Sequence, residues 1–455
     1  MRHVGLPALL LALAVAPAVA QRPLAPTPPM GWNSWDAYGT AVTEARVEAN
    51  AEAMARHLAR FGYRYVVVDI QWYQPTAVGH DYEAGAALAM DQYGRLIPAE
   101  NKFPSSAHGA GFKPLADYVH RLGLKFGIHI MRGIPRQAVA ANTPIPGTPF
   151  HAADVADTTN PCAWNSDMWG VNVRRPGGQA YYDAIAKLYA SWGVDFVKAD
   201  DFGSHRYQPA EIAALRSALD RSGRRIVLSI SPGPAPLEGE QLLAGNAQMW
   251  RISDDVWDEW RLVRRQFDYT KAWARFVGVN GGWPDADMLP LGRLRLTDSA
   301  AHGTASRLTP DEQRTVMTLW SIFRSPLIVG GDLPTLDAAT LALLTDPEVL
   351  AVDKHGEEPW QVLEQPGVRG WRSNVPGSPD RYIAVFNLDS VPRRVSLDWT
   401  DVGLGEGVHA VRNLWARRDL GSADSLRLEL PAHGSVLYRV GAVRGRAATT
   451  RRRSS

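Results

Sequence analysis

The sequence predicts a (β/α)8 barrel followed by a C-terminal antiparallel β-sandwich. Three observations carry this. Eight strand-like apolar runs alternate with helical patterns between residues 30 and 332. The helical period stops near residue 356. Short strands separated by turn signals fill the rest of the chain up to about residue 440. Buried apolar strands spaced by helices imply a parallel sheet, and eight such units close naturally into a barrel.

The eight runs are MGWNSW (30–35), YRYVVVDI (63–70), KFGIHI (125–130), VDFVKAD (194–200), RIVLSIS (225–231), QMWRIS (248–253), GWPDADML (282–289) and SPLIVGGD (325–332). Four of the helices between them show clear boundaries. Residues 43–62, 112–123 and 179–193 are amphipathic and stop at Gly62, Gly123 and Gly193, where glycine ends a helix at little steric cost. Residues 309–324 begin with Thr309 as N-cap, Pro310 as first helical residue and acids in the first turn. The segment 135–178, rich in Pro, Gly, Asn and Thr, is long enough to form a wall or lid over a site.

Beyond a linker near His355-Gly356, RYIAVFNL (381–388), RRVSLDW (393–399), VHAVRNLW (408–415), LRLELP (426–431) and GSVLYRV (434–440) read as the strands of the sandwich. Trp399 and Trp415 are expected to pack rather than to form a ligand platform. The predicted organisation is a leader over 1–20, a barrel over 21–355, a sandwich over 356–441 and a basic, disordered tail over 442–455.

The chain has 455 residues, 45% of them hydrophobic and 21% charged, with a net charge of +2. That suits a large folded protein and gives no sign of a nucleic-acid partner. Arg2 and His3, a short apolar stretch and Ala18-Val19-Ala20 read as a secretory signal, so export is expected, periplasmic or extracellular. No stretch is long enough to predict a membrane span. Cys162, the single cysteine, cannot form an internal disulfide and reads as a small packed residue rather than a nucleophile.

Two aspartates, Asp200 and Asp255, lie at the ends of the fourth and sixth runs. Barrels gather the C-terminal ends of their strands around one opening, so the two carboxylates can face each other across a bound sugar. Glycoside hydrolysis needs such a pair: one group to protonate the leaving oxygen, one to attack or stabilise the anomeric carbon. Lys198 shares a strand side with Asp200 and supplies positive charge. Asp255 must be protonated at rest, which a partly apolar pocket achieves. Asp201 and Asp254 point the other way along an extended strand and read as groups that support the site from behind or as caps. Asp285 and Asp287 lack the His or acidic loop of a metal site and read as hydrogen-bonding groups; no metal and no cofactor is expected.

PPMGWNSWDAYG (28–39), GGWPDADMLPLG (281–292), LTPDEQRTVMTLWSIFRSPLIVGGDL (308–333), LWARRDLG (414–421) and PAHGSVLYRV (431–440) occur in order and resemble glycoside hydrolase family 27, the α-galactosidase family, from Pro28 to about Val440. The resemblance implies a retaining exo-hydrolase of terminal α-D-galactosides acting on a carbohydrate substrate without metal. It aligns Asp200 with the family's nucleophile and Asp255 with its acid/base, the spacing of four from Arg251 selecting Asp255 over Asp254. It aligns Lys198 and Arg251 with sugar-site cations and Trp35 with a tryptophan lining the sugar. Asp69 aligns with the first of two adjacent aspartates that grip sugar hydroxyls.

This sequence departs from the pattern at several places. The second gripping aspartate is Ile70, the usual tyrosine after strand three is His129, the strand-five glutamate is Ser231, and a disulfide cysteine is Phe202. His129 reads as a hydroxyl donor or a packed histidine, and Ser231 leaves room at the sugar 2-position. Alternatives at this point are therefore α-N-acetylgalactosaminides, β-L-arabinopyranosides or α-glucans by the same mechanism, or a non-catalytic exported carbohydrate-binding protein.

Overall fold

The computed structural model describes residues 23–203, 207–298 and 303–443; the expected leader and all but the first two residues of the expected tail lie outside the described residues. Eight strands form one parallel sheet: β1 (Met30–Asn33), β2 (Tyr65–Val68), β3 (Lys125–Met131), β4 (Phe196–Asp200), β5 (Val227–Ile230), β6 (Met249–Arg251), β7 (Trp283–Asp285) and β8 (Leu327–Val329). They pair in chain order from β1 to β7, and β8 returns to pair with β1. A parallel bridge between Leu289, just past β7, and Val329 of β8 closes the ring. Each expected run contains one strand. The paired part is shorter than the run, and the residues beyond it enter the loops at the barrel mouth.

Helices α1 (Glu44–His57), α2 (Lys113–Arg121), α3 (Gly178–Trp192), α4 (Pro209–Arg221), α5 (Glu240–Asn246), α6 (Trp260–Trp273), α7 (Pro310–Phe323) and α8 (Pro347–His355) occur between and after the strands. The start of α7 is built as its sequence predicts: the Thr309 hydroxyl accepts from the Glu312 N–H at 3.3 Å and Glu312 accepts from the Thr309 N–H at 2.8 Å.

The strand period of two sorts side chains between two environments. Val66 and Val68, Phe126 and Ile128, and Val197 and Ala199 join the main core. Tyr65, Val67, Phe196, Val227, Met249 and Ile328 fill a separate cluster inside the barrel. Continuing that inward set along each strand reaches Asp69, His129, Lys198, Asp200, Ser231 and Arg251, so an apolar floor carries a polar upper layer.

The C-terminal unit comprises β9 (Glu357–Gln365), β10 (Val368–Asn374), β11 (Arg381–Asn387), β12 (Arg393–Asp398), β13 (His409–Asn413), β14 (Arg418–Ala423), β15 (Ser425–Leu430) and β16 (Ser435–Ala442). Six form one antiparallel sheet in the order β9-β10-β11-β16-β13-β14, and β12 pairs with β15. There is no loose linker: α8 ends at His355, and Gly356, whose N–H donates to Val352 O at 2.9 Å, leads directly into β9. Trp399 is buried in the sandwich's own core, whereas Trp415 packs on the barrel and its Nε1 donates to Thr318 at 3.0 Å.

Asp353 on α8 is fully buried, and neither of its carboxyl oxygens has a hydrogen-bond partner among the described residues. Burial holds it well above the usual carboxylate range, with Arg324 and Lys354 pulling the other way. The unfolded carboxyl ionises near pH 4, so the folded state holds an extra proton above that pH. The stabilising balance is therefore complete below about pH 4 and declines as pH rises toward the folded value. Asp353→Asn is expected to raise the melting temperature at pH 7 by a few degrees, through relief of about 1–3 kcal/mol of desolvation, and to have no such effect near pH 4. A melting curve at each pH checks this; an equal or lower Tm at pH 7 counts against it.

Candidate active site

The barrel mouth holds a pocket of about 430 Å³ lined by Trp35, Asp69, Ile70, Tyr82, Trp164, Lys198, Asp200, Pro232, Asp254 and Asp255. Five of the eight residues singled out from the sequence therefore line one cavity: Trp35, Asp69, Lys198, Asp200 and Asp255. The other three, His129, Ser231 and Arg251, sit behind it.

Asp200 ends β4 and is 8% exposed. The register of β3 against β4 places His129 opposite Lys198 and Met131 opposite Asp200. His129 Nε2 reaches Asp200 Oδ2 at 3.0 Å. Burial alone would raise the Asp200 carboxyl. The His129 hydrogen bond, the charges of Lys198 and His129 and the Ser231 hydroxyl outweigh it and hold Asp200 well below the usual range. His129 is thus a partner of this carboxylate, and the structure gives it no place in the pocket wall.

Asp69 follows β2 and is almost fully buried. Its Oδ2 accepts from Lys198 Nζ at 2.9 Å and from Asn33 Nδ2 at 2.6 Å. Burial pushes Asp69 up, but Lys198 and His129 hold it below the ordinary value. Burial in turn pushes Lys198 down, and Asp69 and Asp200 reverse this, keeping it charged. One ammonium between two carboxylates thus keeps both anionic.

Asp255 lies in the loop four residues past β6, with a side chain 53% exposed. Arg251, 3% exposed, reaches it at 3.1 Å and binds Asp287 at 2.8 Å. Asp287 also accepts from the Val256 N–H at 2.6 Å, so one carboxylate ties down both the arginine and the backbone on either side of Asp255. Burial, with Asp255 and Asp285 beside it, raises the Asp287 carboxyl against the pull of Arg251. The pocket that Asp255 borders is partly apolar, with Trp35, Ile70, Tyr82, Trp164 and Pro232 in its lining, while the Arg251 guanidinium contacts Asp255 at the rim. The two carboxylates nevertheless differ sharply: one is buried and pinned, the other open to water and to whatever leaves the site.

Ser231 is fully buried. It faces, with Lys198 and Arg251, an inner cavity of only about 20 Å³. Asp201 is held by Arg132 at 2.7 Å, in keeping with a structural role. Asp254, expected to point away, instead lines the pocket beside Asp255, because the chain has left the strand and entered a loop there. Burial pushes the Cys162 thiol up to about 12, which suits a packed residue.

The sequence pattern gave no sign of Tyr82 and Trp164. Tyr82 stacks on Trp35 with ring planes 13° apart and centroids at 6.0 Å, and Trp164 tilts against Tyr82 at 5.4 Å. Aromatic faces of this kind suit the apolar face of a pyranose. Trp164 comes from the 135–178 segment expected to form a wall. Tyr82 comes from the segment after β2, where nothing but its aromatic character marked it.

Residues 169–355 match the family profile described as alpha galactosidase A, and residues 360–440 match the alpha galactosidase C-terminal beta sandwich domain. An alpha-galactosidase of Cyamopsis tetragonoloba is 30% identical over 437 residues, covering 92% of this chain and 87% of that protein. Among solved structures, a GH27 β-L-arabinopyranosidase from Geobacillus stearothermophilus is 51% identical, with a TM-score of 0.90 over 93% of this chain and 98% of that one. A putative α-N-acetylgalactosaminidase from Bacillus halodurans is 43% identical, with a TM-score of 0.83 over 93% and 99% of the two chains.

Proposed function

This chain belongs to the alpha-galactosidase family and is a glycoside hydrolase, and from that premise we propose that it removes terminal galacto-configured pyranosyl groups with retention, accepting α-D-galactosides and favouring their five-carbon counterparts, β-L-arabinopyranosides. Asp200 attacks the anomeric carbon while Asp255 gives its proton to the leaving oxygen. Water then loses a proton to Asp255 and displaces Asp200 from the glycosyl ester. Lys198 keeps Asp200 and Asp69 anionic, the latter as acceptor for sugar hydroxyls. The leader-like N-terminus supports action outside the cytoplasm.

One observation carries the sugar preference: Ile70, beside Asp69 in the pocket wall, stands where the family resemblance puts a hydroxyl-gripping aspartate. β-L-Arabinopyranose repeats the ring hydroxyls of α-D-galactopyranose without the exocyclic hydroxymethyl group. A hydroxyl pressed on an isoleucine loses its water partners without replacement, at about 1–3 kcal/mol; the five-carbon sugar has one fewer to satisfy. The 51% identity to a protein named β-L-arabinopyranosidase supports the same choice. The cavity of about 20 Å³ at Ser231 offers no space for an acetamido group.

Nitrophenyl glycosides test this. The expected kcat/KM for the β-L-arabinopyranoside exceeds that for the α-D-galactoside by about tenfold or more, and Ile70→Asp should narrow or invert the ratio. A wild-type enzyme that prefers the galactoside, with the ratio insensitive to Ile70→Asp, would refute the preference and leave the mechanism standing.

A further inference from the structure

A second pocket, of about 270 Å³, adjoins the first and shares Tyr82 and Trp164 with it. The two cavities therefore meet across a single aromatic pair. Among the residues lining the second pocket, Arg136 is the one cation, and no carboxylate lines it. Arg136 is held from behind: its guanidinium lies 3.9 Å from the centroid of the Trp169 ring, and its Nε donates to Met168 O at 3.1 Å. Its two terminal nitrogens have no hydrogen-bond or ion-pair partner among the described residues. The neighbouring Asp167 carboxylate feels the charge of Arg136 but accepts its hydrogen bonds from Gln71 at 2.7 Å and Tyr73 at 3.1 Å, leaving the guanidinium's terminal N–H groups unbonded.

We propose that this second pocket is the leaving-group subsite, and that Arg136 makes it select a carboxylated aglycone, a uronate-bearing glycan. The proposal rests on the retaining hydrolysis argued above. A ring joined to the cleaved sugar must lie next to the first pocket, and the shared aromatic pair gives it an apolar face to rest on. A planar guanidinium with free N–H groups matches a carboxylate in a way it matches no single hydroxyl, because the charged pair binds bidentately. Its stacking on Trp169 fixes its direction before any ligand arrives.

Acceptor competition on the glycosyl-enzyme reads the subsite directly. An acceptor hydroxyl attacks the anomeric carbon of the glycosyl-Asp200 ester, the ester bond breaks, the acceptor proton passes to Asp255, and a new glycoside leaves. The enzyme is given its best nitrophenyl glycoside with equal concentrations of methyl α-D-glucoside and methyl α-D-glucuronide, and the two transfer products are quantified by mass spectrometry. Wild type should transfer to the glucuronide in about tenfold preference, declining as salt is added. Arg136→Gln should bring the ratio to about one, and Arg136→Lys should restore part of it, which a merely structural role would not do. The ratio is internal to each preparation, so partial misfolding of a variant does not alter it. A wild-type ratio near one, a ratio unmoved by Arg136→Gln, or nitrophenol release with no transfer to either acceptor overturns the subsite while hydrolysis stands. Failure to release nitrophenol from any glycoside overturns the hydrolysis reading as well.

Discussion

Asp200→Ala is expected to lower turnover of an aryl glycoside by about 10⁴-fold or more, because the variant lacks the carboxylate that forms the covalent intermediate. Azide should then restore measurable turnover. It is small enough to occupy the vacated volume, attacks from the same face as the lost carboxylate, and yields a glycosyl azide of inverted configuration. Asp255→Ala should behave differently: glycosides with nitrophenolate leaving groups suffer less than those with alkyl leaving groups, since only the latter need a proton, and azide should give a product of retained configuration. This contrast arises from the environments of the two residues. His129 and Lys198 hold Asp200 as an anion, whereas Asp255 sits half exposed at the rim with Arg251. The measurement also decides against the binding-protein alternative. A wild-type protein that binds sugar but hydrolyses no glycoside, or an Asp200→Ala variant as active as wild type, would end the catalytic assignment.

The parts of this site legible in the sequence were those that strand geometry dictates locally. Asp200 and Lys198 follow from inward alternation at the end of one apolar run, Asp69 follows from the family resemblance, and the structure gathers all three in one pocket. His129 reads from the sequence as a hydroxyl donor or a packed histidine, and its bond to Asp200 depends on the β3–β4 register, which no local pattern reveals. Tyr82 and Trp164 were invisible for a related reason: they reach the pocket from long irregular segments 47 and 129 residues beyond Trp35, and tertiary packing alone puts them there. The resemblance implies a sugar ligand in Arg251, but its partners Asp287 and Asp255 take up both of its terminal nitrogens. In the sandwich, β9 has no clear sequence signal, because EEPWQVLEQ carries charge without clean alternation and lies at the sheet edge.

Ending the chain after His355 is expected to destroy the barrel's cooperative fold rather than release an active catalytic unit. The reason lies in how the six-stranded sheet divides its side chains. Ile383 and Val385 face the sandwich core, whereas Ala384, Phe386, Trp371 and Leu437 belong to the same buried cluster as the barrel helices. Helix α7 is wrapped on all sides, with every residue from Thr315 to Phe323 buried. Phe323 meets Trp371 edge-on at 6.1 Å, Phe267 meets Phe386 at 4.9 Å, and Trp260 stacks on His433 at 4.0 Å. Truncation would bare Phe323, Phe267 and Trp260 at about 1.5–3 kcal/mol for each fully uncovered side chain, against a total stability of about 5–15 kcal/mol for a typical fold. It would also strand polar groups now satisfied across the junction: Thr318, which bonds Trp415 and Ser435, and Glu312, which bonds His433 at 2.6 Å. The shortened chain should therefore be insoluble or melt without a cooperative transition, and Phe386→Ala in the full chain should lower stability by about 3–5 kcal/mol. A soluble truncated barrel that melts like the full chain and hydrolyses an aryl glycoside at the full rate would show that the shared core is dispensable, and that the sandwich is an independent module resting against a self-sufficient barrel.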